Sequence, residues 1–438
     1  MKVGFIGLGC EKNVINTEQM IYRVQAAGHQ IVSDADAADI IVINTCGFIA
    51  SAQSEAIETI LEMAALKKEG KIKKIIVCGC LPERFQEQIA NEIPEADAFV
   101  GVGSFQDIVS VIDRLENEEK VCAFAPPECQ DMDAPRVRTG ANHTAYLKLA
   151  DGCNNCCSYC AIPAIRGAYR SRSMESVVAE AKALAAEGVK ELILIAQDTT
   201  LYGTDLYGEQ KLVDLLEQLS KIDGIEWIRM LYLYPDKITD ELLDIMAREE
   251  KLIPYIEMPV QHSEQSVLSR MNRPGGREQL LSLIDRIRQK LPQAILRTTL
   301  IVGFPGESEA EFEGLCEFVK AAKFDRLGVF AYSREEGTPA FDFDGQIDDA
   351  VKARRAEVIE DIQSEIVYEK LQNTIGKQLV VLCEGYDRLA ECNYGRSYGE
   401  APDIDGKIFF TGKAAAGQMV RVEITDMLDF DLIGEIVK

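Results

Sequence analysis

Short apolar stretches alternate with amphipathic ones along most of the chain, and this alternation limits the fold more than any other feature. Over the first ~115 residues the sequence reads "KVGFIGLGC" then "TEQMIYRVQAAGH", "DIIVINTCGF" then "SEAIETILEMAALKK", "KKIIVCGC" then "RFQEQIANEI", and "DAFVGV" then "FQDIVSVIDRLENE". Strand followed by helix, repeated, predicts a parallel α/β sheet, and such sheets collect ligands outside the carboxyl ends of their strands. Cys10, Cys46 and Cys80 each fall at the end of one of the first three predicted strands, so residues distant in sequence are expected at one edge. An apolar cysteine is often only packing, but three at equivalent positions point to a metal site. Cys78, two residues before Cys80 on the same strand face, is an alternative third ligand.

The alternation stops over 118–138, a stretch rich in proline and polar residues that reads as a linker and includes Cys122 and Cys129, which receive no role. It resumes from about 139 to 370, with strands expected in "TAYLKLADG", "ELILIAQD", "WIRMLYLY", "YIEMPVQ", "LRTTLIVG" and "LGVFAYS". Six β/α units fall short of the eight of a closed barrel, which predicts an incomplete barrel open on one side. From 371 to 438 short strands alternate with glycine turns and predict a small five-stranded β-barrel of the kind that often binds oligonucleotides. The expected class is therefore α/β: an N-terminal parallel domain over 1–117, a partial (β/α)6 barrel, and a C-terminal β-barrel.

Charge bears on the partner. The chain carries 72 acidic against 47 basic residues, a net charge of −25, and residues 370–438 hold 8 Lys/Arg against 11 Asp/Glu. A chain of this sign repels a phosphate backbone at long range and suits a basic partner, and the last domain lacks the basic footprint of a nucleic-acid binder. No apolar run approaches the ~20 residues of a membrane span, and "MKVGFIGLGCEKN" has no signal-peptide cleavage region. The expectation is a cytoplasmic protein with reduced thiols and no membrane partner.

The stretch "ADGCNNCCSYCAIP" places Cys153, Cys156, Cys157 and Cys160 within eight positions. Read as two abutting CxxC pairs, it offers four zinc ligands; four-cysteine zinc sites usually separate their pairs by ~12 to 20 residues so that the chain can loop round the ion, and adjacency of Cys156 and Cys157 would strain it. Read as Cys153-x3-Cys157-x2-Cys160, it offers three thiolates, which hold three irons of a 4Fe-4S cubane and leave the fourth without a protein ligand.

That second spacing, after a first barrel strand and with Tyr159 before the last cysteine, resembles the radical S-adenosylmethionine superfamily. In that superfamily the open iron chelates S-adenosyl-L-methionine, whose reductive cleavage gives a radical able to abstract hydrogen. Together with "GLGCEKN", "NTCGFI", "CGCLPERF", "PVQHSEQSVLSRMNRP", "IVGFPGE" and "REEGTPA" in order, it resembles the methylthiotransferase family across nearly the whole chain. The resemblance implies two 4Fe-4S clusters, one on Cys153, Cys157 and Cys160 and a second, sulfur-presenting one on Cys10, Cys46 and Cys80, with a TRAM domain at the C-terminus. It places Tyr159, Gln197 and Arg297 near the adenosylmethionine and leaves Cys156 a bystander.

Family members act on a tRNA adenosine or on a protein side chain. "NTCGFI", "PVQH" with His262, and "YGRSYGEAPDIDG" resemble the protein-modifying members. They imply an aspartate of small-subunit ribosomal protein S-twelve as target, with a reductant such as flavodoxin or ferredoxin; the sulfur donor is left open. Glu400, Asp403 and Asp405 are expected to form an acidic docking surface. The "IVGFPGE" glycines match neither phosphate-loop spacing. A function of another class, an RNA-binding adaptor built round structural zinc, predicts zinc and no iron.

Overall fold

A computed structural model describes residues 1–117 and 120–437, so Glu118 and Glu119 of the expected linker and Lys438 at the chain's end lie outside the described residues. The described chain packs as two compact units. The first comprises 1–139 together with 148–172 and 333–341, and the second comprises 140–147, 173–332 and 342–438.

The first unit is built on a six-stranded sheet of β1 (Lys2–Gly7), β2 (Gln30–Val32), β3 (Ile40–Thr45), β4 (Lys74–Gly79), β5 (Ala98–Val100) and β6 (Val121–Ala123). Its order is β2-β1-β3-β4-β5-β6 and every pairing is parallel. The central strand β3 is buried at all its positions because both faces are covered, as parallel sheets require. Ile40 and Val42 join a core with Met20 and Val24 of helix α1 (Glu11–Ala26), while Ile41 and Ile43 join one with Ala56 and Ile60 of helix α2 (Ala50–Lys68). Two strands exceed the four legible as apolar runs: β2 and β6, short edge strands whose residues are partly exposed.

The expected linker is structured over much of its length. Its residues 121–123 form β6, and its later part is bound to α1: Gln19 donates to the carbonyls of Met132 and Ala134, and Arg136 pairs with Glu18 at 2.6 Å. Proline and polar content reported the lack of periodicity, but side chains of another element satisfy its backbone.

The chain passes through β7 (Thr144–Lys148) into a short antiparallel pair, β8 (Ala150–Asp151) and β9 (Arg170–Ser171), which brackets the cysteine-rich stretch. The second unit's sheet then adds β10 (Glu191–Ile195), β11 (Trp227–Met230), β12 (Leu252–Glu257), β13 (Ile295–Val302) and β14 (Arg326–Ala331). Its order β14-β13-β12-β11-β10-β7 is sequential and open, which is the expected partial barrel. A closed barrel of β15 (Gln378–Asp387), β16 (Cys392–Arg396), β17 (Ile408–Thr411), β18 (Met419–Leu428) and β19 (Asp431–Ile436) follows. No helix among the described residues is long and apolar enough to cross a membrane.

The segment "YGRSYGEAPDIDG" has a different role from the one expected. Glu400 is buried and pairs with Arg326 at 3.2 Å, and Asp405 pairs with Arg297 at 2.7 Å while accepting from Tyr255 Oη at 2.7 Å. Arg396, ending β16, pairs with Glu191, which opens β10 and also holds Arg229. The stretch thus buckles the small barrel to the strand N-termini of the larger sheet. Of the three acids expected to face a partner, only Asp403 is exposed.

Candidate metal centre

Cys10, Cys46 and Cys80 lie just past the ends of β1, β3 and β4, and the loops that carry them are pressed together. Gly9 adopts φ +92°, and a Cβ there would stand 2.9 Å from the Cys46 Cβ. A Cβ on Gly47 would lie 2.7 Å from Leu81 Cα and 2.8 Å from the Cys80 carbonyl carbon, so only glycine permits this approach. Cys10 is exposed, Cys46 partly buried and Cys80 buried, a gradient from solvent into the sheet edge. Burial pushes the Cys46 thiol up to about 12, with Cys80 and Cys10 adding to the effect. Metal binding must deprotonate them.

Cys78 lies deeper than these three: it is fully buried, its sulfur lies 3.9 Å from Met20 Sδ, and it joins the core between α1 and the sheet that Cys80 also touches. The strand ends at Gly79, and Cys80 opens helix α3 (Cys80–Phe85), so the two cysteines do not share a strand face.

The second triad occupies the same unit. Cys153 and Cys157 are buried, Cys160 and Tyr159 partly so, and Cys156 is exposed. Cys153 N donates to Gly167 O at 3.1 Å, Cys160 N to Cys157 O at 3.1 Å, and the backbone N–H of Ile162 points at Cys160 Sγ at 3.4 Å. Cys156 is more exposed than the three cysteines around it, and its sulfur lies 3.7 Å from Asn154 O. Among the described residues no three His, Cys, Asp or Glu side chains converge as ligands of a single ion. A cubane instead spreads its ligands over separate irons.

Residues that the cysteine pattern does not reveal join these loops. Arg166, at the end of the helix Ile162–Arg166, is almost completely buried; its Nη2 donates to Asn13 Oδ1 at 2.6 Å and to Cys80 Sγ at 3.2 Å, and its Nη1 pairs with Asp151 at 3.2 Å. The Asn13 amide in turn donates to Leu8 O at 3.0 Å and Thr45 O at 3.1 Å, the strand ends that precede Cys10 and Cys46. Asp151 is also paired with buried Lys148 at 3.0 Å. Two buried cations therefore share one carboxylate. Glu83, which also feels Arg166, is hydrogen-bonded to Val102 N instead. Burial opposes the charge on Arg166, yet Cys80, Asp151 and Cys10 outweigh it and hold the guanidinium charged. An uncompensated buried cation costs several kcal/mol, so the site calls for an anion at Cys80. An all-thiolate iron–sulfur cluster meets that demand, and the donor set fits it.

The loop of Cys46 has a further support. Glu335, in the segment "REEGTPA", accepts from the first backbone N–H of α2, Ala50 N, at 2.8 Å and pairs with Arg84 at 2.9 Å, while Arg84 Nη1 donates to Gly47 O at 2.8 Å. Asn13, Arg84, Asp151 and Glu335 all lie inside the recurring motifs, a signal that sequence reading passed over in favour of the cysteines.

In the second unit Gln197 follows β10 at the carboxyl edge of the sheet and is partly buried. Arg297, expected beside the adenosylmethionine, is instead the third residue of the eight in β13, with its guanidinium taken by Asp405 of the small barrel's buckle. The two are not brought together: Arg297 lies near the start of its strand, as the sequence places it, whereas Gln197 follows the end of its own, and a strand's start and its end face opposite edges. In "IVGFPGE" the backbone N–H of Phe304 is taken by Glu307 at 3.0 Å and that of Gly303 by the same carboxylate, so this glycine-rich turn is closed by its own acid.

His262 is wholly buried after β12, next to Gln261 at φ +67°. Its Nδ1 accepts from Glu264 N at 3.0 Å, which puts the ring proton on Nε2. Burial pushes its pKa down to about 3, with Arg270 and Arg355 adding to this and Glu311 opposing. Because the unfolded imidazole takes its proton near ~6.5, this contribution to stability is complete above that value and is lost as pH falls toward about 3. Melting temperatures followed across that window are expected to fall more steeply for the parent than for His262→Gln.

Three stretches match known families: residues 2–101 the Uncharacterized protein family UPF0004, residues 147–319 the Radical SAM superfamily, and residues 375–437 the TRAM domain. Among solved structures, the radical S-adenosylmethionine methyltransferase TsrM from Kitasatospora setae aligns with a TM-score of 0.54 at 14% identity, covering 77% of this chain and 76% of that one. The cobalamin-dependent radical enzyme OxsB aligns at 0.51 with 13% identity over 84% and 56% of the two chains. These likenesses show the fold. The chain is 47% identical to the ribosomal protein uS12 methylthiotransferase RimO of Thermoanaerobacter sp. (strain X514), over 99% of both chains. It is 45% identical to that of Geobacter sulfurreducens, over 100% of this chain and 98% of the relative. With cysteine loops on a radical SAM scaffold and end-to-end identity of this size, the chain belongs to the ribosomal protein uS12 methylthiotransferase RimO family.

Proposed function

We propose that this enzyme adds a methylthio group to the β-carbon of an aspartate in ribosomal protein uS12, holding one 4Fe-4S cluster on Cys153, Cys157 and Cys160 and a second on Cys10, Cys46 and Cys80. The observation that carries the reading is the union of both cysteine triads in one compact unit, tied through Asn13, Arg166 and Asp151. When bound, the clusters supply the electron that opens a sulfonium bond of adenosylmethionine and the site that carries the sulfur.

The protein's own residues supply placement. Burial of Cys153 and Cys157 keeps water from that triad, and Ile162 N–H orients the Cys160 sulfur. Tyr159, beside Cys160, is the side chain of this unit assigned to adenosylmethionine; Arg297 is not assigned to it, because it is bound to Asp405. On the small barrel Asp403, Glu423, Asp426, Asp429 and Glu435 remain exposed, which suits a basic ribosomal protein better than tRNA. A reductant of the flavodoxin or ferredoxin type completes the scheme.

The test has two readouts. Anaerobic reconstitution is expected to give about eight irons per chain; zinc without iron would sink the redox reading. In a strain lacking the gene, mass spectrometry is expected to find uS12 without its methylthio aspartate and tRNA unchanged. Loss of a tRNA adenosine modification with uS12 intact would reverse the substrate assignment.

A further inference from the structure

Resting on the two-cluster reading, we propose that Arg166 is a positioning residue that raises the reduction potential of the cluster on Cys10, Cys46 and Cys80. It does so by a charge-assisted hydrogen bond to the Cys80 sulfur.

Several observations converge on this. The guanidinium is 1% exposed and donates to Cys80 Sγ at 3.2 Å. Its charge is not needed to neutralise Asp151, because buried Lys148 already contacts the same Asp151 Oδ2 at 3.0 Å. Cluster potentials respond to net charge, hydrogen bonds to the sulfurs and burial, and all three meet in Arg166. A cation and a donor at a ligand sulfur favour the more negative, reduced cluster and so raise the potential. Exclusion of water around the guanidinium strengthens the effect, since its neighbours Asn13, Lys148 and Asp151 are buried as well.

The same side chain belongs to the stretch that follows Cys160 in sequence. Arg166 therefore reaches from one triad's loop to a ligand of the other, while Asn13, its other partner, holds the carbonyls of Leu8 and Thr45. Geometry at Cys80 and the position of the Cys153 loop are coupled through one guanidinium. A lysine at 166 would keep the charge but lose the fork that serves Asn13, Cys80 and Asp151 together.

The experiment uses the full chain carrying Cys153→Ala, Cys157→Ala and Cys160→Ala, reconstituted anaerobically, so that only one cluster is present at about four irons per chain. Its midpoint potential is read by electron paramagnetic resonance during a redox titration. Arg166→Gln is expected to lower the potential, Arg166→Lys to restore part of the loss, and Asp151→Asn, which removes the negative neighbour, to shift it the opposite way. Unchanged potentials with about four irons retained would overturn the role of Arg166 alone. Failure of the triple-alanine parent to bind iron would overturn the ligand assignment and the inference with it. Should Arg166→Gln hold no cluster, Arg166→Lys decides: a potential below the parent's supports the role, and an unmoved potential refutes it.

Discussion

Cys157→Ala is expected to lose one of two clusters, lowering bound iron from about eight to about four per chain and abolishing methylthio transfer. Cys156→Ala, one position away, should keep its iron. The difference comes from the backbone winding between Cys153 and Cys160, which buries Cys153 and Cys157 and leaves Cys156 exposed, with its sulfur 3.7 Å from Asn154 O. Iron and sulfide analysis with the cluster absorbance band separates the two outcomes. Equal iron loss in both variants would mean that the four-thiol phase is the right one.

Glu191→Ala is expected to cost about 3–5 kcal/mol, because it leaves buried Arg229 without a carboxylate and Arg396 with Glu384 alone, at 2.7 Å. Glu191 Oε1 holds Arg229 Nε at 2.8 Å and Oε2 holds Arg396 Nη2 at 2.7 Å, all with negligible exposure. Arg396 belongs to the small barrel, so the loss should also loosen that barrel and expose the region near 371 to protease. Burial opposes ionisation of Glu191, yet Arg396 and Arg229 outweigh it and hold the carboxyl at about 2. Its contribution is therefore present above the unfolded value of ~4.3 and lost as pH falls through about 2. Urea unfolding of the parent and Glu191→Gln should show a gap that is constant above the upper value and closes toward the lower. A gap independent of pH would refute the ionic account.

The strands and helices of the parallel sheets were legible because burial on two faces leaves continuous apolar runs, and the five short strands of the last barrel because glycine turns separate them. The edge strands β2 and β6 were not: three residues carry no period, and unlike those of the equally short but buried β5, theirs are partly exposed and give no continuous apolar run. The placement of Cys10, Cys46 and Cys80 past the ends of β1, β3 and β4 was legible from the apolar runs that precede them. Asn13, Arg166, Asp151 and Glu335 were not, because a polar residue in sequence looks solvated until its partner is known, and those partners lie up to 285 residues away.

Charge shows the same division. The acidity of "YGRSYGEAPDIDG" reads as a docking surface, but Glu400 and Asp405 are satisfied by Arg326 and Arg297 at the N-terminal ends of β14 and β13. By itself the sequence determined the fold class and the three architectural blocks, because these depend on local period and spacing. Only the tertiary structure decided which acids face solvent, that Cys78 is core, that Arg297 braces the small barrel, and that one buried guanidinium joins the loops of both triads. Burial and ion pairing are properties of contacts between distant segments, and no local pattern encodes them.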